Sequence, residues 1–277
     1  MTSSSKPTKD RVTYLRHPFL DGLSVLTASA YHEDFPVHLH DEYSLTLVQS
    51  GRETTVTPQR ELTALSGSIS LTPPNVLHAN PNRNGSSYGF TTLYLSPDVV
   101  HYLSPKATAR LREDSVVLQE PHLFAALTAW AAGPHAPERE LIALLEQLFR
   151  SSLNGNYPAQ DSPSATEKSW LANVTEYVNQ NLEDRVYLDD LATVAGMSRY
   201  HFLRSFRREK GVTPLQYVNL CRVERAKKSL MRGNSITGAA HEAGFYDQSH
   251  FHRFFLRFSG ITPGQFLAGS NFVQDHH

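Results

Sequence analysis

Hydrophobic and polar positions alternate along residues 11–100 in short runs, which is the pattern of half-buried β-strands. The runs that predict strands are 23–30, 43–50, 53–57, 68–72 and 90–95. Turn-forming steps separate them, among them Gly51-Arg52, Gly67 and Pro73-Pro74-Asn75. Many short strands with no helical stretch between them predict a small β-barrel or a jelly roll.

Beyond residue 120 the apolar positions follow the period of a helix instead. The predicted helices are 122–132 and 138–153, and the second has one broad apolar stripe formed by Leu141, Leu144, Leu145, Leu148 and Phe149. A polar segment rich in Ser and Pro, residues 156–166, follows and predicts a linker. The chain is therefore divided into a first domain, residues 11–155, and a second domain, residues 167–269.

The second domain contains the same sequence unit twice. The copies are 48 residues apart up to an Ala-Gly step and 49 residues apart from the next shared Phe onward. The matching pairs are Ala192 and Ala240, Ala195 and Ala243, Gly196 and Gly244, Phe202 and Phe251, Arg204 and Arg253, Phe206 and Phe255, Gly211 and Gly260, Thr213 and Thr262, Pro214 and Pro263, and Gln216 and Gln265. A repeat this dense in small and aromatic residues indicates a duplicated supersecondary unit.

Each copy predicts a helix-turn-helix. A short helix ends at a glycine, and a second helix begins after a capping side chain, Ser198 in the first copy and Asp247 in the second. A Thr-Pro step, which combines an N-cap with proline at the first helical position, then starts a further helix in both copies. Residues 214–232 predict one long helix that keeps the two copies at a set separation.

The motifs of both copies resemble those of AraC/XylS-type transcription regulators. They are Ala195-Gly196-Met197-Ser198 and Gly211-Val212-Thr213-Pro214 in the first copy, and Ala243-Gly244-Phe245 and Gly260-Ile261-Thr262-Pro263 in the second. This resemblance covers residues 167–269. It is specific, because two such units in tandem with both Thr-Pro steps are a far stronger signal than a single helix-turn-helix.

The first domain is similar to the cupin-like arabinose-binding domain of the same regulators. The similarity is carried by Pro36-Val37-His38-Leu39-His40-Asp41-Glu42-Tyr43, Gly51, Gly67-Ser68-Ile69 and Pro73-Pro74-Asn75-Val76-Leu77-His78. The two resemblances imply an α+β protein of two domains, an N-terminal cupin-like β-barrel with trailing helices and a C-terminal all-α tandem helix-turn-helix domain. They also imply that the trailing helices dimerise, although the apolar stripe of residues 138–153 is equally suited to packing on the barrel.

The distribution of charge agrees with a DNA-binding second half. The net charge is −1, but residues 185–232 carry 11 Lys/Arg against 4 Asp/Glu, whereas residues 1–163 carry 12 against 16. An acidic part joined to a basic part is typical of a sensor attached to a phosphate-binding unit. The single cysteine, Cys221, excludes an internal disulfide, and we find neither a signal peptide nor an apolar run of membrane-helix length. A cytoplasmic protein without membrane association is therefore expected.

The residues just after the cap of the second helix in a helix-turn-helix face base edges and phosphates. The residues predicted to contact DNA are Arg199, Tyr200, Leu203, Arg204, Arg207 and Arg208 in the first copy, and Gln248, Ser249, His252 and Arg253 in the second. Arg binds guanine bidentately and Gln binds adenine in the same way. The pair Arg207 and Arg208 suits phosphate contacts, with a solvated charged face as the alternative interpretation.

The chemistry-bearing residues of the first domain are mainly histidines. The alternation of His38, His40 and Glu42 predicts one face of a single strand, with His78 on a neighbouring strand. The predicted effector-binding residues, which would line a pocket inside the barrel, are His38, His40, Tyr43, Thr46 and His78. The alternative is a filled barrel that binds no ligand.

Two or three imidazoles with a carboxylate also form a set of metal ligands. Metal-binding cupins, however, place the glutamate four or more residues beyond the second histidine, where this sequence has Ser44, Leu45 and Thr46. We therefore expect the histidines to form hydrogen bonds at the mouth of the pocket, and we expect neither a metal nor another cofactor.

The expected function is sequence-specific DNA binding by a transcription regulator that responds to a small-molecule effector in the cupin-like domain. The resemblance implies an activator rather than a repressor. The expected partners are double-stranded promoter DNA, the effector, RNA polymerase and a second copy of the chain. The alternative is an enzyme, a metal-dependent cupin oxygenase with an appended DNA-binding domain, which stoichiometric iron or manganese on the histidines would favour.

Overall fold

The structure is a computed structural model that describes residues 11–16, 23–83, 85–106, 115–133, 137–154 and 169–268. The predicted linker, residues 156–166, lies outside the described residues, so the linker and the domain boundaries beside it stay predictions. No helix in the described part of the chain is both long enough and apolar enough to cross a membrane.

The strands of the described residues form two antiparallel sheets. They are β1 (Arg11–Arg16), β2 (Leu23–Tyr31), β3 (Phe35–His38), β4 (Tyr43–Ser50), β5 (Arg52–Val56), β6 (Glu61–Leu65), β7 (Ile69–Thr72), β8 (His78–Asn80), β9 (Tyr88–Leu95) and β10 (Val116–Leu118). One sheet has the order β1-β2-β9-β4-β7-β10, and the other has the order β3-β8-β5-β6. The β-rich first domain is confirmed, but the sheets do not close into a barrel, and the double-sheet alternative is the one observed.

The five predicted strands correspond to β2, β4, β5, β7 and β9. The alternation pattern does not identify the other strands, of which β1, β3, β6 and β10 are the edges of their sheets. An edge strand has fewer buried neighbours, so its hydrophobic pattern is weaker. A short helix after β9, α1 (Pro97–Leu103), is also absent from the prediction; Ser96 caps it by accepting a hydrogen bond from the Val99 amide at 3.3 Å.

The six-stranded sheet has an apolar face and a polar face. Along β4, Leu45 and Leu47 are fully buried in the core that the helices cover, whereas Ser44 and Thr46 face the space between the sheets. Strands β7 and β9 continue this division with Ser70, Thr72 and Thr92 on the inner face. Because the inner face is rich in hydroxyl groups, the space between the sheets remains a polar cavity rather than an apolar core.

Two further helices, α2 (Pro121–Ala132) and α3 (Glu138–Asn154), cover the apolar face. The predicted stripe of α3 is buried in this core: Leu141, Leu145, Leu148 and Phe149 have no exposed surface, and Leu144 is partly buried. Of the two interpretations of the stripe, packing on the sheet is the one observed. A dimer cannot use the stripe while it is covered in this way.

The second domain is all-helical and has two helix-turn-helix units, as predicted. Its helices are α4 (Ser169–Gln180), α5 (Leu188–Val194), α6 (Arg199–Lys210), α7 (Pro214–Met231), α8 (Ile236–Glu242), α9 (Gln248–Ser259) and α10 (Pro263–Ala268). The units are α5–α6 and α8–α9, and Ser198 and Asp247 cap their second helices. At the second turn, Gly244 has a φ of +79°, and a Cβ there would lie 2.0 Å from the Leu182 carbonyl oxygen. Only glycine fits this turn.

Helix α7 lies between the two units and is hydrogen-bonded to both. The Arg222 guanidinium donates to the carbonyl oxygens of Leu182 at 3.1 Å and Asp184 at 2.9 Å, in the segment that leads into the first unit. At the other end of α7, Ser229 and Arg232 donate to the carboxylate of Glu242 in the second unit. The predicted long helix therefore connects the two units as a rigid strut.

The two domains contact each other through a shared apolar core and an ion pair. Tyr14 of β1 stacks on Phe266 of α10 with ring centroids 5.3 Å apart, and Leu26 of β2 belongs to the same core. Between β3 and β4, the Asp41 carboxylate lies 2.5 Å from the ammonium of Lys228 on α7. The sheet domain is thus attached directly to the strut of the helical domain.

Candidate DNA-binding surface and effector cavity

Helix α6 presents most of its predicted contact residues to solvent. The exposed ones are Arg199, Tyr200, Arg204, Arg207 and Arg208, whereas Leu203 is half-buried. The Phe202 and Phe206 side chains point the other way and have no exposed surface, as predicted for core residues. The helix therefore has one face in the core and one cationic face in solvent.

Helix α9 repeats this arrangement. All four predicted contact residues, Gln248, Ser249, His252 and Arg253, are exposed. On the opposite side, Phe251 and Phe255 are fully buried. Arg204 and Arg253 therefore occupy equivalent exposed positions on two helices that the same strut supports.

Some cationic side chains on this surface have acidic neighbours. The Arg199 guanidinium lies 3.6 Å from the Asp189 carboxylate of α5, and that of Arg208 lies 3.1 Å from Glu209. All four side chains are well exposed, so each pair contributes little to stability and exchanges readily for a phosphate. The interface is therefore available to a polyanion.

Two exposed residues of the second unit are missing from the predicted set. Arg257 lies one turn beyond Arg253 on α9 and is exposed, and Tyr246, in the turn before α9, is fully exposed. Arg257 stands 49 residues after Arg208, so the spacing of the repeat was a sufficient signal for it. Tyr246 lies where the second copy has its extra residue, so no residue of the first copy indicates it.

A cavity of about 410 Å³ lies between the two sheets. Its lining is mostly polar and includes Ser44, Thr46, Glu53, Thr55, Ser70, Thr72, Asn80 and Thr92 beside the three histidines His38, His40 and His78. Many of these groups bond each other, as in the hydroxyl pair of Thr46 and Thr92 at 2.9 Å. Four of the five predicted effector-binding residues, His38, His40, Thr46 and His78, therefore line one cavity.

The fifth predicted residue, Tyr43, does not line this cavity. Its ring packs in the helix-facing core against Phe149, with ring centroids 6.3 Å apart. Tyr43 and Thr46 are three residues apart on β4, and successive side chains of a strand alternate between faces. They therefore cannot share a face, and the placement of Tyr43 in the pocket is corrected.

The three histidines form a compact cluster. The ring centroids of His38 lie 4.2 Å from those of His78 and 4.8 Å from those of His40. One nitrogen of each ring can be chosen so that the three atoms lie within 4.8 Å of one another, the one such grouping of potential metal ligands in the described residues. Burial lowers the pKa of all three, that of His78 to about 4, so the rings are neutral at pH 7.

The chain path around the cluster differs from the prediction. Strand β3 ends at His38, and His40 and Glu42 lie in the connection to β4 rather than on one strand. This connection bends because the Asn75 amide donates to the His40 carbonyl oxygen at 2.7 Å. Glu42 therefore lines a different cavity, and the expected shared face of His38, His40 and Glu42 is wrong.

This second cavity, of about 470 Å³, lies between the domains. Its lining includes Tyr14, His40, Asp41, Glu42, Lys227 and Phe266. Lys227 forms a nearly buried ion pair with Glu224 at 2.6 Å on the same helix. His40 belongs to both cavities, so the connection between β3 and β4 joins the effector cavity to the domain interface.

Comparison with known proteins identifies the family. An AraC-like ligand binding domain model matches residues 22–169, more than half of the chain, and a helix-turn-helix domain model matches residues 191–269. The chain belongs to the AraC family of transcription regulators. This confirms the family, the two-domain architecture and the role in transcription regulation that the sequence motifs imply.

Other members of the AraC family show similarity over most of the chain. YbfI of Bacillus subtilis, an uncharacterized HTH-type transcriptional regulator, is 29% identical over 231 residues, 79% of this chain and 82% of YbfI. The HTH-type transcriptional activator RhaS of Escherichia coli is 25% identical over 254 residues, 85% of this chain and 88% of RhaS. The crystal structure of apo ToxT from Vibrio cholerae has the same fold, with a TM-score of 0.60 at 14% identity over 91% of this chain and 98% of ToxT.

Proposed function

We propose that this AraC-family protein activates transcription from promoters that it recognises through α6 and α9, in response to a small molecule bound between its two sheets. The observation that carries this proposal is the equivalent exposure of Arg204 and Arg253 on helices joined by one strut. Activation is the proposed direction of regulation because RhaS is named an activator. We propose a regulator rather than an enzyme.

Sequence recognition is assigned to the residues at and after the caps of α6 and α9. Arg204 and Arg253 suit bidentate contacts with guanine, and Gln248 suits adenine. Arg207, Arg208 and Arg257 are assigned to phosphates, where their charges position the helices without selecting a sequence. Tyr200, Leu203, Ser249 and His252 complete the proposed contact surface, with Arg199 at the start of α6.

Effector binding is assigned to the polar cavity, with His38, His40, Thr46 and His78 on its wall. A ligand there changes DNA binding only if it binds one arrangement of the domains more tightly than another. The connection that carries His40 and Asp41 offers a route, because Asp41 is paired with Lys228 of the strut. We infer that the effector acts through this connection.

RNA polymerase is the proposed partner at the promoter, and the proposed site of action is the cytoplasm. A homodimer also remains part of the proposal. It has to use a surface other than the leucine stripe of α3, because the sheet already covers that stripe.

Selection of binding sites from random duplex DNA with the full-length protein tests the proposed DNA recognition. The enriched sequence is expected to contain two short blocks about one helical turn (~34 Å) apart, one for each unit. Repeating the selection with genomic fragments and candidate small molecules identifies the effector by a change in recovery. A failure to enrich any sequence at low and moderate salt would contradict the proposal.

A further inference from the structure

We propose that His38, His40 and His78 bind one divalent transition-metal ion, whose remaining coordination positions face the polar cavity. The inference deepens the proposed effector site and rests on the proposed function, because it makes the ion the signal or a part of it. It also revises the expectation from sequence that the site holds no metal. The expectation rested on the missing glutamate, whereas the inference rests on the three-dimensional arrangement of the imidazoles.

The spacing of the imidazoles is close to that of a metal site. Ring centroids are 4.2, 4.8 and 5.6 Å apart for the three pairs, and the potential ligand nitrogens lie within 4.8 Å of one another. Ligands at about 2.0–2.1 Å from a tetrahedral ion are roughly 3.3 Å apart. Closing the site therefore needs ligand shifts of at most about 1.5 Å, which side-chain rotations can supply.

Hydrogen bonds to the backbone fix two of the rings in the tautomer that a metal requires. Nδ1 of His38 lies 2.7 Å from the Pro36 carbonyl oxygen, and Nδ1 of His78 lies 2.8 Å from the Val76 carbonyl oxygen. A carbonyl oxygen only accepts, so each Nδ1 carries the proton and donates. The Nε2 atom of each ring then has a free lone pair, the arrangement that outer-shell carbonyls impose on metal-binding histidines.

The surroundings also suit a cation. All three rings are buried and neutral at pH 7, so a metal ion does not have to displace protons. The Glu53 carboxylate lines the same cavity, and its Oε2 atom has no hydrogen-bond partner among the described residues. A buried polar atom of this kind calls for a water or an ion that completes its interactions.

The ligand type selects the class of ion. Neutral imidazoles favour zinc, iron, nickel or copper over magnesium and calcium, which prefer oxygen ligands. Three protein ligands leave at least one coordination position open, as in zinc sites that bind a water or a substrate. An oxygen donor from a small molecule in the cavity can occupy that position.

The ion has a structural route to the DNA-binding domain. His40 is the ligand that also lines the cavity between the domains, and the next residue, Asp41, pairs with Lys228 on the strut. Drawing the His40 ring toward the ion shifts the connection between β3 and β4. Metal binding is therefore coupled to the contact that joins the sheets to the strut.

Titration of the full-length protein with Co²⁺, followed by the visible absorption of the bound ion, tests the site. Wild-type protein is expected to bind one ion per chain, with Zn²⁺ displacing Co²⁺. His38→Gln, His40→Gln and His78→Gln are each expected to weaken binding by at least about 100-fold, because each removes one of three ligands. Thermal unfolding and circular dichroism of each variant verify that its fold is intact.

Two control variants separate this site from surface imidazoles. His241→Ala removes an exposed histidine of the second domain, and a variant with His276 and His277 both replaced by alanine removes the histidine pair at the end of the sequence. Both are expected to keep one Co²⁺ ion per chain with unchanged affinity. If folded His38→Gln and His78→Gln variants bind Co²⁺ as tightly as wild-type protein, or if only the control variants lose binding, the inference is wrong.

DNA binding distinguishes a failure of this inference from a failure of the proposed function. The selected operator is titrated with wild-type protein in a metal-chelating buffer and again with one equivalent of Zn²⁺ per chain. A change of at least threefold in affinity that His78→Gln abolishes supports the coupling, whereas metal binding without such a change overturns it. Operator binding that responds to another small molecule, in a protein that binds no metal, overturns the inference and leaves the proposed function intact.

Discussion

The carboxylate of Asp41, in the sheet domain, lies 2.5 Å from the ammonium of Lys228, on the strut of the DNA-binding domain. Asp41 follows His40, which belongs to the effector cavity, and Lys228 lies on the helix that supports both helix-turn-helix units. A change in the cavity therefore has a short path to the DNA-binding surface. The pair is also half-exposed on the Lys228 side, so it can open without a large loss of stability.

Asp41→Asn and Lys228→Gln are expected to show a small but measurable coupling. In a double-mutant cycle on the free energy of unfolding in urea, the coupling should be about 0.2–1 kcal/mol, the range for exposed ion pairs. The control cycle combines Lys228→Gln with Glu61→Gln, whose carboxylate pairs with Arg83 instead, and should be additive. Additivity of Asp41→Asn and Lys228→Gln would show that the ion pair is absent in solution.

Arg204→Ala and Arg253→Ala are expected to weaken specific operator binding by about 1–3 kcal/mol each, because each removes a proposed base contact. Their side chains are exposed, so the unfolding temperature should hardly change. Arg150→Ala removes another exposed arginine, which pairs with Glu146 on α3, and serves as the control. Footprints identical to that of wild-type protein for both variants would remove the assigned roles.

Arg257→Ala tests the phosphate contact that the repeat spacing indicates. Binding to the operator and to unrelated DNA should weaken by similar factors, because a phosphate contact carries no sequence information. The slope of log affinity against log salt concentration should fall by about one. A loss confined to the operator, with an unchanged salt slope, would assign Arg257 to base recognition instead.

Gly244→Ala is expected to destabilise the second domain more than Gly196→Ala, although both glycines lie in the turns of the repeated unit. Both have positive φ, and an alanine there costs about 1 kcal/mol. The added methyl group at position 244 also meets the Leu182 carbonyl oxygen at 2.0 Å, whereas nothing lies within 4 Å at position 196. Urea unfolding measures both costs, and equal values would contradict the close approach of Leu182.

Glu53→Gln is expected to stabilise the protein increasingly as the pH rises from 5 to 7. Burial raises the pKa of the Glu53 carboxyl from 4.5 to about 7. In this range the unfolded chain has lost the proton that the folded chain retains, so the glutamate destabilises the fold progressively, by roughly 3 kcal/mol at and above pH 7. Unfolding in the presence of a metal chelator measures the difference, and the exposed Glu61→Gln is the control. A difference that does not vary with pH would exclude a buried, protonated Glu53.

The sequence by itself determined the helical domain almost completely. The caps Ser198 and Asp247, the Thr-Pro steps and the long helix between the units are all present in the structure. These features depend on residues within a few positions of each other, so the printed order of residues contains the information. The misplacement of Tyr43 was avoidable on the same ground, because its spacing of three residues from Thr46 already excludes a shared strand face.

Only the tertiary structure decided how the sheets pair and what the histidines do. His38 ends one strand, His40 lies in a connection and His78 begins another strand, and the pairing of β3 with β8 brings them together. The contact of Asp41 with Lys228 likewise joins residues of different domains. Such contacts depend on strand order and domain packing, which are set by the summed burial of many side chains and leave no local pattern along the chain.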